Sequence, residues 1–287
     1  MKKASFRGGD LPAFLCIGAQ KSGTTLLYEI LSHHPQIFLP REREHFFDID
    51  ETFRQGIDWY RHYFRGSSPD RITGDVIPAY IFFEDVPLRI RDMLGTGLKF
   101  IAILRNPVDR AYSHYWMSFR RRYETRSFEE AIVLEHSRMR KGYFERNNFS
   151  YVSRGFYTEQ IARYTALFPA GNLKIVLFEE FTRDPSRHAE EILRFLGCSL
   201  EGWRCPIRKK VHAGDLDVPQ FFHALRTSKQ LSLKHNLSAL GRLSKGRKAS
   251  YPPMKKTTRK LLGDLFRDEV AGLAKFLGRD LSAWHLD

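Results

Sequence analysis

The sequence predicts an α/β fold of three layers, in which helices flank both faces of a central parallel sheet. Four short apolar runs, typical of buried parallel strands, alternate along the chain with longer stretches of helical periodicity. Loops rich in glycine or charge follow the first and third runs, at the edge of a parallel sheet where ligands bind. The predicted strands cover residues 13–18, 72–76, 99–104 and 173–178.

Length and composition indicate one globular domain. A chain of 287 residues can bury a full core, and its 42% hydrophobic and 14% aromatic content argues against disorder. We expect residues 1–11 to form an N-terminal tail and residues 12–287 a single domain. No apolar window approaches the about 18 residues of a membrane span. Residues 1–10 also lack the apolar segment of a signal peptide, which favours a cytoplasmic location.

The first strand leads into the loop Gly18–Thr25, and a helical pattern follows at residues 26–31. Glycines let the main chain approach an anion, and amides at a helix N-terminus donate hydrogen bonds to it. Lys21 adds a positive charge. The loop is similar to a P-loop, except that its lysine precedes the second glycine, Gly23. The alternative is a glycine-rich turn that carries a surface lysine.

The third strand ends in Arg105, where a nucleotide kinase would usually carry an aspartate for Mg²⁺. An arginine at this point suits direct contact with a phosphate. Pro107 then opens a helix, and Ser113 lies about two helical turns beyond Arg105. These residues predict a second phosphate-binding position. The alternative for Arg105 is an ion pair at the sheet edge.

Together, Gly18–Thr25 and Ile103–Ser113 resemble the two cofactor motifs of the PAPS-dependent sulfotransferases, closest to the heparan sulfate and bacterial carbohydrate branch. This resemblance implies a P-loop-like fold, PAPS as sulfuryl donor, PAP as product, and no metal. It extends over about residues 12–284 through further similar segments: Gly74–Tyr80, Gly155–Gln160, Leu173–Glu180, Asp184–Pro185, Ser244–Arg247 and Phe276–Trp284.

The resemblance also implies roles for the donor-binding residues. Lys21 would stabilise the leaving group. The 5′-phosphate would be held by backbone amides and hydroxyls of Ser22, Gly23, Thr24 and Thr25. The 3′-phosphate would be held by Arg105, Ser113 and a late closing loop of Lys245, Gly246 and Arg247.

The general base is expected in the segment Pro40–Asp48. This segment resembles the family sequence Lys-Glu-x-His-Phe-Phe, whose glutamate is the base, but counting back from His45 places that glutamate at Arg43. A shift of one residue would make the base Glu42 or Glu44, and we weight these two equally. His45 is the third candidate, because the related cytosolic branch uses a histidine. The alternative is that residues 41–44 form a solvated charged turn.

Candidates for acceptor binding are His45, Asp75, Tyr80 and Tyr157, with Gln160 beside them. The aromatic residues Trp59, Tyr60 and Tyr63 have helical spacing and are expected in the core rather than on a sugar-binding surface. We interpret His33, His34 and His114 as structural or surface residues.

Three cysteines, Cys16, Cys198 and Cys205, are too few for a disulfide framework, and their spacing matches no zinc pattern. We expect reduced thiols, with a Cys198–Cys205 bridge as the alternative.

Lysine and arginine outnumber aspartate and glutamate by 47 to 33, which gives a net charge of +14. Such a balance attracts polyanions. Basic clusters lie at residues 120–122, 208–210 and 255–256, and they form either a solvated face or a surface for an acidic acceptor. No zinc-finger, RNP or basic-zipper motif supports specific nucleic-acid binding.

The sequence therefore predicts a metal-free sulfotransferase that uses PAPS to sulfate a hydroxyl of a carbohydrate or glycosylated small molecule. One alternative is a P-loop nucleotide kinase, in which Glu179 at a strand end would hold Mg²⁺. The other is a basic module that binds polyanions without catalysis.

Overall fold

A computed structural model describes residues 11–207 and 251–286 of the chain. Among these residues lies one five-stranded sheet in which every pairing is parallel, in the order β2-β3-β1-β4-β5. Leu15 of the central strand aligns with Asp75 on one side and Phe100 on the other. The strands are β1 (Phe14–Gly18), β2 (Ile37–Phe38), β3 (Ile72–Val76), β4 (Lys99–Leu104) and β5 (Leu173–Leu177).

The four predicted strands are confirmed, as β1, β3, β4 and β5. Every residue of β1 is buried, as expected for a strand covered by helices on both faces. Strand β2 was not predicted, because two residues carry too little periodicity to be distinguished from a loop.

Helices connect the strands and cover the sheet. They are α1 (Thr24–Ser32), α2 (Asp50–Phe53), α3 (Ile57–Arg61), α4 (Val86–Leu94), α5 (Pro107–Arg120), α6 (Phe128–Met139), α7 (Tyr143–Phe149), α8 (Tyr157–Thr165), α9 (Phe178–Arg183), α10 (Pro185–Leu196) and α11 (Lys256–Leu277). Short 3₁₀ turns lie at residues 62–64, 153–155 and 170–172. None of the described helices is long and apolar enough to cross a membrane.

Alternate residues of β1 enter different cores, which produces the three layers. Leu15 and Ile17 belong to a core that contains residues of α5, α8 and α11. Phe14 and Cys16 belong to a second core with residues of α1 and α10. This alternation follows from the two-residue period of a strand. The predicted three-layer fold is confirmed.

The aromatic residues at 59, 60 and 63 pack in the interior as predicted. Tyr60 is fully buried, and Trp59 and Tyr63 pack against the same core. The thiols of Cys16, Cys198 and Cys205 are buried and free, so the disulfide alternative is not present. His34 is buried and bonds the Ser199 carbonyl, in keeping with a structural role.

Candidate functional site

The loop after β1 turns sharply into α1. Gly23 precedes the helix with a φ of 86°, a left-handed conformation that glycine adopts without steric cost. No side chain caps the helix there, so its first amides point out of the helix end without a side-chain acceptor. The Ser22 N–H, predicted to contact phosphate, donates instead to the Ala19 carbonyl at 3.1 Å. The loop thus presents the start of α1, rather than Ser22, to an anion.

The end of β4 brings Arg105 to this loop. Arg105 Nη1 donates to the Lys21 carbonyl at 3.0 Å, and its guanidinium lies 4.6 Å from the centre of the Phe178 ring. These two contacts fix a nearly buried cation. Asn106 caps α5 by accepting from the Val108 N–H at 2.9 Å. The predicted helix start at Pro107 is confirmed, and α5 carries Ser113 to the same place.

One cavity contains most of the predicted site. Its wall includes Lys21 and Gly23–Thr25 from the first loop, Arg105 from the second, and Ser113 from α5. Residues 76–79 after β3 and Phe178 complete that side. All these segments follow the carboxyl ends of parallel strands, which explains why residues far apart in sequence meet here.

The cavity is strongly cationic. Lys21, Arg43, Arg105 and Arg121 line it, and no aspartate or glutamate does so among the residues that the structure describes. Clefts lined by one sign of charge concentrate ions of the opposite sign. The chemistry of this wall therefore suits an anion with several negative groups.

The segment predicted to hold the base is divided between two environments. Arg43 and His45 line the cavity, whereas Glu42 and Glu44 are not among the lining residues. Burial raises the pKa of the Tyr63 hydroxyl, and the negative charges of Glu44 and Glu42 act in the same direction. These two carboxylates are therefore close enough to Tyr63 for their charge to act on it.

His45 belongs to a hydrogen-bonded group of three side chains. Its Nδ1 lies 2.7 Å from Asp48 Oδ2, and Tyr143 donates to the same oxygen at 2.8 Å. The Asp48 side chain is fully buried, and 34% of the His45 side chain is exposed. A carboxylate only accepts hydrogen bonds, so Nδ1 carries the proton and Nε2 is left as an acceptor. The arrangement suits proton abstraction at Nε2.

Asp75 lies beneath the cavity rather than in its wall. It is buried, and it accepts hydrogen bonds from the Tyr60 hydroxyl at 2.9 Å and the Val76 N–H at 2.7 Å. Burial raises the pKa of the Asp75 carboxyl from 3.8 to about 6, and the two hydrogen bonds act in the opposite direction. The nearby positive charges of His45 and Arg43 also act to lower the pKa of the Asp75 carboxyl, against the effect of burial.

Three other acceptor-site candidates are buried outside the lining. The Tyr80 hydroxyl accepts from the Phe46 N–H at 3.2 Å and so supports the segment that carries His45. The Tyr157 hydroxyl donates to the Arg105 carbonyl at 2.8 Å and supports the second loop. Gln160 donates to the Phe156 carbonyl. These side chains lie one layer behind the cavity.

Glu179 makes structural contacts. Its carboxylate accepts from the Asn106 N–H at 3.1 Å and from the indole N–H of Trp284 at 2.8 Å. It therefore joins the end of β4 to the C-terminal segment. Because both oxygens are engaged, Glu179 gives no support to the kinase alternative.

Sequence reasoning did not select Asp48, Tyr143 or Asn147 for the site, and it named Arg121 only within the basic cluster 120–122. Asp48 lies three residues after His45, a spacing that a search for histidine–carboxylate pairs would have found. Arg121 at the end of α5 and Asn147 of α7 line the cavity, and Tyr143 of α7 bonds Asp48, through packing that has no local sequence signal. The predicted closing loop, Lys245–Arg247, lies outside the described residues.

Comparison with known proteins gives a consistent result. A family model described as a sulfotransferase domain matches residues 11–257. The chain is also similar to a crystal structure of a sulfotransferase from Alicyclobacillus acidocaldarius, with a TM-score of 0.74 and 29% identity. That match covers 96% of this chain and 98% of the other.

Two curated relatives act on heparan sulfate by their names. A bifunctional heparan sulfate N-deacetylase/N-sulfotransferase 4 from Mus musculus is 32% identical, over 96% of this chain and 31% of its own length. A heparan sulfate glucosamine 3-O-sulfotransferase 5 from Mus musculus is 31% identical, over 65% of this chain and 54% of its own. The chain thus spans between about a third and about half of these two relatives.

Proposed function

The chain belongs to the sulfotransferase family, and on that premise we propose that it transfers the sulfuryl group of PAPS to a hydroxyl of a carbohydrate or glycosylated small molecule. The single observation that carries this proposal is the cavity. It unites Lys21, the start of α1, Arg105 and Ser113, with no carboxylate among its described lining residues.

The donor fits the residues present. Amides at the start of α1, with the hydroxyls of Thr24 and Thr25, suit the 5′-phosphate. Arg105 and Ser113 suit the 3′-phosphate, since Arg105 is held in place by the Lys21 carbonyl and the Phe178 ring. The resemblance implies that Lys245, Gly246 and Arg247, which lie outside the described residues, would close over the same phosphate.

PAPS supplies an activated sulfuryl group whose transfer leaves PAP behind. The protein has three tasks in such a reaction: it orients both reactants, stabilises the leaving group and accepts a proton. Lys21, on the cavity wall beside the 5′-phosphate position, would stabilise negative charge on the departing oxygen. No carboxylate is among the described residues that line the cavity.

The geometry favours His45 as the proton acceptor. His45 lines the cavity, and Asp48 both fixes its tautomer and stabilises the imidazolium that forms when Nε2 takes the acceptor's proton. Glu42 and Glu44 stay as the competing candidates. Asp75, Tyr80 and Tyr157 then support the site from behind without touching the acceptor.

We assign the acceptor to the part of the cavity wall that carries Arg43 and His45. The cation of Arg43 favours an acceptor with a nearby carboxylate or sulfate. The names of the two relatives above support a glycan of the heparan sulfate type. Because the relative that matches over 96% of the chain is named for N-sulfation, a glucosamine amine is the second candidate for the group that is sulfated.

Calorimetric titration with PAP tests the donor site. We expect metal-independent binding to the wild type, and a loss of about tenfold or more in Arg105→Ala and Ser113→Ala, because each variant removes a contact to the 3′-phosphate. ADP, which lacks that phosphate, should bind weakly to all three proteins. Arg187→Ala, an exposed arginine paired with Glu191, is the control and should bind PAP as the wild type does.

Two outcomes would overturn the proposal. Preference for ATP with Mg²⁺ over PAP would favour a nucleotide kinase. Tight binding to heparin that PAP does not reduce, together with no sulfated product, would favour a non-catalytic polyanion-binding module.

A further inference from the structure

Two aromatic rings stand exposed on segments that also contribute to the cavity wall. Tyr123 is 43% exposed and Phe144 is 48% exposed. Their ring centres lie 5.1 Å apart at an angle of 70°, an edge-to-face arrangement. Each ring therefore packs part of its surface against the other and still presents a large apolar area to solvent. We refer to these two residues as the aromatic pair.

The turn that carries Tyr123 is firmly built. Arg122 has a φ of 60°, a conformation that a non-glycine residue adopts only at some cost. The Tyr123 N–H donates to the Ser118 carbonyl at 3.0 Å, so the chain folds back on the end of α5. Such a conformation persists where the surroundings enforce it, and it is often found at functional sites.

Contacts of Glu124 hold the turn at Arg122 and Tyr123 in place. Its buried carboxylate accepts from the Thr125 N–H at 2.9 Å and the Tyr151 hydroxyl at 2.9 Å, and it pairs with Arg138 at 2.5 Å. Hydrogen bonds and the ion pair hold the pKa of the Glu124 carboxyl below its usual value, although burial acts the other way. Tyr123 is thus held outward by its neighbour rather than left on a loose loop.

The aromatic pair belongs to two segments that also supply residues of the cavity wall. Arg121 and Asn147 line the cavity, and they are two residues before Tyr123 and three residues after Phe144. Tyr143, adjacent to Phe144 on α7, bonds Asp48 beside His45. The same short helix therefore reaches the Asp48 partner of the candidate base through Tyr143 and the cavity wall through Asn147.

We propose that the aromatic pair is a platform for a sugar ring of an acidic carbohydrate acceptor, next to the sugar that is sulfated, with Arg121 binding a carboxylate or sulfate of that ring. This inference rests on the proposed function. The apolar C–H face of a pyranose matches an exposed aromatic ring, and its hydroxyls match the amide of Asn147. The guanidinium of Arg121 on the same rim supplies the complementary charge.

The test compares acceptors of two lengths. N-desulfated heparin hexasaccharide and the monosaccharide glucosamine serve as probes, with PAPS as donor. In Tyr123→Ala and Phe144→Ala we expect KM for the hexasaccharide to rise about fivefold or more, the loss of an aromatic contact of about 1 kcal/mol. KM for glucosamine and Kd for PAP should not change, since a monosaccharide fills only the reacting position. Tyr123→Phe should keep the wild-type KM, and Phe276→Ala, an exposed ring on α11, is the control.

Calorimetry with the hexasaccharide in the presence of PAP gives the same comparison without turnover. Equal Kd and KM for the wild type and both alanine variants would overturn the platform. A wild-type protein that binds PAP but neither binds nor sulfates the hexasaccharide would overturn it as well. A wild-type protein that does not bind PAP contradicts the proposed function instead, so the two failures are distinguishable.

Discussion

At the scale of single residues, Arg43 and His45 show that an offset of one residue from the resembled family segment changes which side chains line a site. The sequence predicted a base among Glu42, Glu44 and His45, because the glutamate of the resembled family segment falls on Arg43. In the structure, alternate positions of this segment, Arg43 and His45, line the cavity. Which side chains line the cavity depends on the local backbone conformation, which includes a tight turn from Glu44 to Phe46, and sequence spacing alone did not determine it.

The base is identified by single substitutions in this segment. We expect His45→Ala to lower kcat by about 100-fold or more while Kd for PAP is kept, because a general base contributes about 10²- to 10⁴-fold. Asp48→Asn should lower kcat by a smaller factor, since it leaves the imidazole in place but removes its charge partner. Glu42→Gln and Glu44→Gln should stay close to the wild type. Rates are measured with a fixed acceptor at saturating PAPS.

The opposite pattern of turnover rates would indicate that a glutamate is the general base. If Glu42→Gln or Glu44→Gln removes turnover while His45→Ala retains it, the histidine interpretation is wrong. Retained turnover in all three variants would place the base outside residues 42–45.

Asp75 makes a contribution to stability that depends on pH. Its folded-state pKa of about 6 lies above the ordinary 3.8, so the folded state holds this proton more tightly. The resulting stabilisation is present below about pH 4 and is lost as the pH rises through about 6. We expect the unfolding free energy of the wild type, relative to that of Asp75→Asn, to fall by about 3 kcal/mol over that interval. Urea unfolding between about pH 4 and pH 8 measures it.

Asn keeps a carbonyl oxygen for the Tyr60 hydroxyl, so the variant is expected to fold. Asp58→Asn, a change at a side chain that is 84% exposed, is the control and should parallel the wild type. A constant difference between wild type and Asp75→Asn at every pH would contradict the prediction.

At the scale of elements, the donor site is made by two loops that leave neighbouring strands. Strands β1 and β4 pair in parallel, so the loops Gly18–Thr25 and 105–107 emerge side by side. This adjacency explains why the donor half was predictable: each loop carried its own local signal, and parallel topology brought the loops together. The acceptor half was less predictable, because α5 and α7 contribute Arg121 and Asn147 through tertiary packing.

Substitution of Gly23 is expected to affect both the stability of the fold and the binding of the donor. Alanine at this position has a φ of 86° imposed on it, which costs about 1 to 2 kcal/mol. Its Cβ would also lie 3.1 Å from the Phe178 ring, which holds Arg105 in place. We expect Gly23→Ala to lose stability by this amount and to weaken PAP binding by about tenfold or more. Thermal unfolding and calorimetry measure the two effects.

Gly197 at the end of α10 provides a matched control. Its φ is 91°, and an added Cβ would meet nothing within 4 Å. Gly197→Ala should therefore lose a similar stability and keep wild-type PAP binding. If both variants lose PAP binding equally, the effect of Gly23→Ala arises from stability and not from the Phe178 contact.

At the scale of the whole molecule, the net charge of +14 is concentrated in part at the cavity. The sequence predicted the excess charge and the basic clusters, among them 120–122 with Arg121, but it did not show that Arg43, Arg105 and Arg121 line one cavity, because these residues are far apart in the chain. Lys255 pairs with Glu129 at 3.1 Å, which makes part of the basic cluster 255–256 structural. The three layers and four of the strands followed from hydrophobic periodicity alone.

Salt should distinguish the two kinds of anion binding. Between about 50 and about 500 mM NaCl, we expect Kd for a heparin oligosaccharide to rise much more than Kd for PAP. Exposed charges are screened by salt, whereas Arg105 is only 8% exposed. Calorimetric titrations across this range measure both constants. An equal dependence on salt would indicate that PAP binds at the surface and not in the cavity.

The position of β1 at the centre of the sheet has a consequence for how such enzymes diversify. On one side of it, β4 leads to Arg105, which we propose binds PAPS; on the other, β3 leads to cavity residues 76–79, and the two-residue edge strand β2 leads to the segment that carries Arg43 and His45. An edge strand tolerates insertion and replacement, because few neighbours depend on it. Changes of acceptor are therefore expected among residues 41–45, which are exposed or half-buried, and not at Phe46 or Phe47, whose rings are fully buried in the core.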